Sequence, residues 1–193
     1  MKNLLTVSLA FAWLALSSFN PAEGVYNVNP GSTDVKWTGY HLAKSYEHYG
    51  NIKVKKGSLV FGNGNITGGE VIIDMNSITV GDIAAGKDNA KLVGHLKSDD
   101  FFAVEKYPEA RLLIKKSVNT PDGLAITGDL TIRDVTKEVT FNASVKENSN
   151  NSLEALADIR VKRTDYKVMY GWKVENAILS DEFRLEIKLV ASK

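Results

Sequence analysis

The sequence predicts an all-β domain: a closed up-and-down antiparallel barrel of about eight strands, carrying one short helical insert. Three observations predict it. Apolar and polar residues alternate with period two through most of residues 35–189, the signature of strands with one buried face. The joints between these runs are short and turn-like, which favours hairpins over crossover helices. The alternation stops in one stretch, Lys91–Pro108, KLVGHLKSDDFFAVEKYP. A two-sheet sandwich shares the period-two pattern and stays open on periodicity alone. Several runs reach ten or more residues, and long antiparallel strands suit a tall barrel better.

The elements follow in chain order. Lys2, an apolar run of 13 residues from Leu4 to Leu16, and the small residues Ser17 and Ser18 have the layout of a secretory signal peptide. That run is too short to cross a bilayer, which takes about 20 apolar residues. Residues 1–22 are therefore expected to be removed, with cleavage between 17 and 24, leaving 23–193 as one barrel domain.

In the first strand Val35, Trp37, Gly39 and His41 alternate with Lys36, Thr38 and Tyr40. Ile52 and Val54 mark the second strand, and Val71, Ile73 and Met75 the third. After the insert, Leu112 and Ile114 begin the series again. Leu124, Ile126, Leu130 and Ile132 form one face of the next strand, followed by Val139, Phe141, Ala143 and Val145. Leu153 to Val161 and Phe183 to Leu189 supply the last two. Asn29-Pro-Gly-Ser, Gly62-Asn-Gly-Asn, Pro121-Asp-Gly, Asp134-Val-Thr and Glu147-Asn-Ser-Asn-Asn are the turns.

Within the insert Leu92, Val93 and Leu96 recur at helical spacing. Ser98 before Asp99 and Asp100 predicts a helix start there, with a capping serine and acidic first-turn residues. Phe101 and Phe102 then make the insert a candidate lid for the barrel.

Composition excludes several classes of function. Lys2 is the only charged residue of the leader; without it, Lys+Arg falls from 24 to match the 23 Asp+Glu. A neutral chain has no electrostatic footprint for nucleic acid or an anionic membrane. With no cysteine, disulfides, thiol catalysis and zinc-thiolate sites are ruled out together. His41, His48 and His95 are the only imidazoles, and they show neither a His-x-His nor a His-x-x-x-His pair. Arg160, Lys162, Arg163 and Lys167 form a basic run near Asp158 and Asp165, in which Arg160 and Lys162 share the outward strand face and read as a solvated surface. No Gly-x-Ser-x-Gly elbow or phosphate loop is present. No catalytic constellation and no cofactor motif emerges.

Inward positions mix large residues (Trp37, Phe61, Phe141, Phe183) with small ones (Gly39, Gly69, Gly128, Ala143, Ala155, Ala157). That mixture suits both ordinary taper packing and the walls of a narrow channel.

Five segments, in order, resemble the YceI-like family. They are Tyr26-Asn-Val-Asn-Pro-Gly-Ser with Val35-Lys-Trp37, His48-Tyr-Gly-Asn, and Gly68-Gly-Glu-Val-Ile-Ile-Asp-Met-Asn-Ser-Ile78. The fourth is Leu92-x-x-His95-Leu96-Lys-Ser-Asp-Asp-Phe-Phe102 with Lys106-Tyr-Pro108, and the fifth is Gly128-Asp-Leu-Thr-Ile-Arg-Asp-Val-Thr-Lys137. The fifth departs from the family pattern at Asp134, where a glycine is usual. The insert departs from it at Gly94-His95-Leu96. The resemblance implies an extended, lipocalin-like eight-stranded barrel in the periplasm that holds a polyisoprenoid or other long-chain lipid without converting it.

On that implication Trp37, Phe61, Val71, Ile73, Met75 and Leu92 are expected to line the bore. Leu96, Phe101, Phe102, Ile114, Leu130 and Phe141 complete the expected set. A filled barrel serving protein interaction or envelope stress is the alternative, and an enzyme or metal protein using the three histidines is a third class. Either a monomer or a homodimer is compatible with the sequence, and stable membrane insertion is not expected.

Overall fold

The computed structural model describes residues 23–41, 46–149, 151–169 and 179–193. The proposed leader, residues 1–22, lies outside them. Among the described residues, nine strands and one α-helix follow one another. They are β1 (Gly24–Val28), β2 (Asp34–His41), β3 (Glu47–Gly62), β4 (Asn65–Asp74), α1 (Lys87–Lys97), β5 (Glu109–Thr120), β6 (Gly123–Ile132), β7 (Val135–Ser149), β8 (Ser152–Lys162) and β9 (Leu179–Ser192). From β2 to β9 each strand pairs antiparallel with the next, and β9 pairs back onto β2, closing an eight-stranded barrel.

The ninth strand does not widen the barrel. β1 pairs with the far half of β3, Tyr26 opposite Leu59, and with the end of β9, Val28 opposite Ala191. β2 pairs with the near half of β3 and with the rest of β9. The two strands thus share one stave, interrupted by a 3-10 turn at Pro30–Ser32. Asn29 starts that turn, its side chain accepting the Gly31 N–H at 3.0 Å. Strands of 16, 15 and 14 residues (β3, β7 and β9) make the barrel tall.

The two ends differ. One end carries the β3–β4, β5–β6 and β7–β8 hairpins together with β1, and it is packed solid. Tyr26 and Leu153 there are 0 % exposed, with Ile66 and Leu59 hardly more. Asn63 and Gly64 turn the β3–β4 hairpin with φ of 54° and 74°, the backbone that asparagine and glycine tolerate best. The other end carries the β2–β3 connection, the β6–β7 turn, the β8–β9 connection and the long insert between β4 and β5. The insert is a closed loop, because Met75 N–H donates to Pro108 O at 3.0 Å across its base.

The helix takes in Leu92, Val93 and Leu96, as their spacing predicts, but Ser98 stands at its end and not at its start. α1 begins at Lys87, with Asp88 in its first turn, and it ends at Ser98 rather than starting there. The Ser98 N–H and Oγ both donate to the His95 carbonyl, at 3.1 and 2.8 Å, closing the last turn. The backbone is extended at Ser98, and residues 99–102 continue as turns. Asp99 and Asp100 therefore complement no helix dipole. A serine serves either helix end, and the Ser-Asp-Asp string does not say which.

Outward residues pair across strands. On the β2–β9–β8 face Lys36 meets Glu186, Arg184 meets Asp158 and Lys188 meets Glu154. Arg111 and Glu70 pair across β5 and β4. Exposed pairs of this kind contribute little to stability because solvent screens them, so the apolar interior carries the fold.

Candidate functional site

Inside the barrel lies a cavity of about 690 Å³, open toward the end that carries the insert. Its volume sits within the range of small-molecule sites. The walls come from every stave. Trp37 of β2, Ile73 of β4, Ile114 of β5, Leu130 of β6, Phe141 of β7, Ala157 of β8 and Leu185 of β9 all face it. Leu59, Ile66 and Leu189 form its lower part, next to the packed end.

Eleven of the twelve residues expected in the bore line this one cavity: Trp37, Val71, Ile73, Met75, Leu92, Leu96, Phe101, Phe102, Ile114, Leu130 and Phe141. Phe61 does not. It is 3 % exposed, but it lies two residues beyond Leu59 on β3, opposite Gly24 and Ile66, and packs the closed end. A bulge between Val54 and Lys56 reverses the facing of β3, so Val54 and Phe61 both end up inward at opposite parity. Of the small inward residues, Gly39, Ala143, Ala155 and Ala157 line the cavity, whereas Gly69 and Gly128 are absent from its wall. A methyl group on either glycine would stand 2.5–2.6 Å from a neighbouring backbone oxygen, so close strand approach explains both.

The insert forms the roof. Asp88, Lys91, Leu92, His95 and Leu96 of α1 line the cavity. These positions recur at three- and four-residue steps, so a single helix face lies over the opening. Phe101 and Phe102 pack edge to face, 5.0 Å between centroids, and both rings meet the cavity.

Contacts from the walls hold the roof down. Trp37 Nε1 donates to the Thr79 carbonyl at 3.0 Å. Thr79 and Gly81 donate their backbone N–H groups to Asn51 O and Tyr49 O, at 2.9 and 2.8 Å, so this segment runs along β3. Asn89 Nδ2 of α1 then donates to Val80 O and Ile83 O. From the other side, Arg133 Nη1 donates to Phe101 O at 3.0 Å and to Lys167 O at 2.9 Å. Arg133 sits in the β6–β7 turn with φ of 56°, a left-handed conformation that costs a non-glycine residue energy.

Among the described residues, the polar side chains that line the cavity stand toward its open rim. His41 and His48, seven apart in sequence, stand on neighbouring strands with the Tyr46 ring between them, centroids 5.1 and 4.7 Å away. His48 Nδ1 lies 2.6 Å from Asp82 Oδ2, and Asp82 Oδ1 accepts the Tyr49 N–H at 3.0 Å. Partial burial pushes the Asp82 carboxyl up, but the His48 ring and the Tyr49 N–H outweigh it and hold the group below the usual carboxylate range. His95 faces Phe101 across 5.8 Å; burial pulls its imidazole below the ordinary histidine value, against the opposing pull of Asp100. Among the described residues no three His, Cys, Asp or Glu side chains gather to hold a metal ion.

Arg160 and Lys162 are exposed, as expected, whereas Arg163 turns inward. It is 4 % exposed and touches the cavity. Its guanidinium donates to Ser180 O, Val168 O and Leu179 O and faces Asp181 at 3.6 Å, joining the 3-10 turn after β8 to the start of β9. An arginine can be buried this way when backbone carbonyls and a carboxylate satisfy its donors.

A closed antiparallel barrel, packed at one end and roofed at the other around an apolar cavity, has the architecture of a binding protein. The chain belongs to the YceI-like family: the family model for the YceI-like domain matches residues 26–191. A YceI protein of Escherichia coli is 32% identical over 146 residues, covering 75% of this chain and 72% of its own. BcnA of Burkholderia cenocepacia superposes with a TM-score of 0.72 at 20% identity, over 86% of this chain and 99% of its own. A polyisoprenoid-binding domain from Saccharophagus degradans, implicated in plant cell wall breakdown, superposes with a TM-score of 0.67 at 14% identity, over 86% and 97%.

Proposed function

We propose that the protein binds a long-chain apolar lipid of the polyisoprenoid type in its barrel and carries it through the periplasm without chemical change. The observation that carries this reading is the continuous apolar cavity reaching from Leu59 and Ile66 to Phe101 and Phe102. A chain buried there gains about 0.8 kcal/mol for each methylene removed from water, so few polar contacts are needed. The polyisoprenoid-binding neighbour from Saccharophagus degradans supports the lipid class, and the leader-like residues 1–22 support export. A barrel filled with side chains is at odds with a cavity of this size. His48, Asp82 and Arg163 are held in pairs and backbone bonds, in keeping with carriage rather than conversion.

Lipid-free protein incubated with vesicles containing a polyprenol tests the reading. Re-isolated protein is expected to carry the lipid at a stoichiometric level and chemically unchanged; protein that emerges empty would overturn it. Osmotic-shock fractionation of expressing cells tests the compartment, with the shortened chain expected in the released fraction.

A further inference from the structure

We propose that His48, oriented by Asp82, is the residue that recognises the polar end of the ligand, and that this end is a hydroxyl group. The inference rests on the lipid reading above and adds the chemistry of the ligand's head.

The cavity is apolar along its depth and polar only at the rim, so an apolar chain entering it leaves its head at that rim. There His48 is the imidazole in a carboxylate pair. Its Nδ1 is committed to Asp82 Oδ2 at 2.6 Å, which fixes the ring's orientation and leaves Nε2 as the nitrogen open to a ligand. The Tyr46 ring stands edge-on to the imidazole and His41 flanks Tyr46 on its other side, which limits rotation of the ring. With Nδ1–H given to the carboxylate, Nε2 of the neutral ring is an acceptor, and a hydroxyl group is the matching donor.

Arg163, a second polar group at the rim, is already engaged. Arg163 donates to three backbone carbonyls and faces Asp181. Asp88 and Lys91 stand one helical turn apart on α1 with opposite charge. The His48–Asp82 pair is also not needed to pin residues 79–82 to β3. The backbone bonds of Thr79 and Gly81, and the bond from Tyr49 N–H to Asp82, already do that.

The test compares three probes that share one chain: geranylgeraniol, its methyl ether, and the hydrocarbon in which hydrogen replaces the hydroxyl. Each displaces N-phenylnaphthylamine from lipid-free protein at one mildly alkaline pH. Wild type is expected to prefer the alcohol to both others by roughly three- to tenfold, the range of one net hydrogen bond. His48→Phe is expected to abolish that preference while hydrocarbon affinity stays within twofold. In wild type, the nitrogen-15 resonance of His48 Nε2 is expected to shift with the alcohol and not with the hydrocarbon, a readout that does not depend on how the variant folds. Equal binding of the three probes by wild type would overturn the head-group role and leave the lipid reading standing. An equal loss of all three in His48→Phe, with no Nε2 shift in wild type, would do the same. If no probe binds wild type, the lipid reading falls and the head-group role falls with it.

Discussion

The Trp37 indole N–H donates to the Thr79 carbonyl at 3.0 Å, joining a barrel wall to the roof 42 residues away. Gly50, directly opposite Trp37 on β3, makes room for that contact. A Cβ at position 50 would stand 1.8 Å from the Thr79 oxygen and 2.9 Å from the Trp37 nitrogen. Gly50→Ala is therefore expected to push residues 78–81 off β3 and to destabilise the protein by about 1–3 kcal/mol, as overpacking does. Trp37→Phe keeps the ring but leaves the Thr79 carbonyl without its donor, at about 1–2 kcal/mol. Urea denaturation of both variants checks the two figures, and lipid release from Gly50→Ala is expected to be faster than from wild type.

Arg133 latches the other side of the roof by bonding Phe101 O and Lys167 O from one nitrogen. Arg133→Ala loses both charge-assisted bonds, with an expected stability loss of about 1–3 kcal/mol. Stopped-flow transfer of a bound lipid to acceptor vesicles is expected to speed up in this variant while the barrel keeps its far-ultraviolet circular dichroism.

Ala157 lines the cavity beside Ile187 and Leu185. Ala157→Phe places a ring where about three methylenes of a ligand would lie. The loss is then about 2.4 kcal/mol, or roughly fiftyfold in affinity, with thermal stability held or raised because the ring fills empty space. Isothermal titration with a polyprenol and a thermal melt separate the two effects.

Asp82 gives the protein a pH-dependent component of stability. Its folded carboxyl is held below the ordinary aspartate value of about 3.9, so folding favours the ionised form. The stabilisation is fully present above that ordinary value and is lost as pH falls through the depressed folded value. Asp82→Asn removes the ionisable group. Urea midpoints for wild type and variant are expected to differ at neutral pH and to converge as the solution becomes strongly acidic.

The barrel was legible because one-sided burial leaves a period-two record. Leu124, Ile126 and Ile132 are buried, and Thr127, Asp129 and Thr131 on the other face are not. The cavity wall was legible for the same reason, since an inward apolar residue is either core or lining. Phe61 separates those two outcomes. Its inward facing follows from the pattern, but its height above the closed end depends on the β3 bulge and on β1, neither of which leaves a periodic mark. Contacts between distant segments were illegible. His48 and Asp82 are 34 residues apart, Arg133 and Phe101 are 32 apart, and nothing local in either stretch announces its partner. The burial of Arg163 was illegible too, because the carbonyls of residues 168, 179 and 180 that satisfy it lie 5 to 17 residues further along the chain.

The functional proposal requires that the cavity hold a lipid in the native compartment. It is tested most directly by purifying the protein from that compartment without detergent, extracting it with organic solvent and analysing the extract by mass spectrometry. One polyisoprenoid-type lipid per chain is expected from wild type and a strongly reduced amount from Ala157→Phe. A wild-type extract with no lipid above the level of a control protein would contradict it.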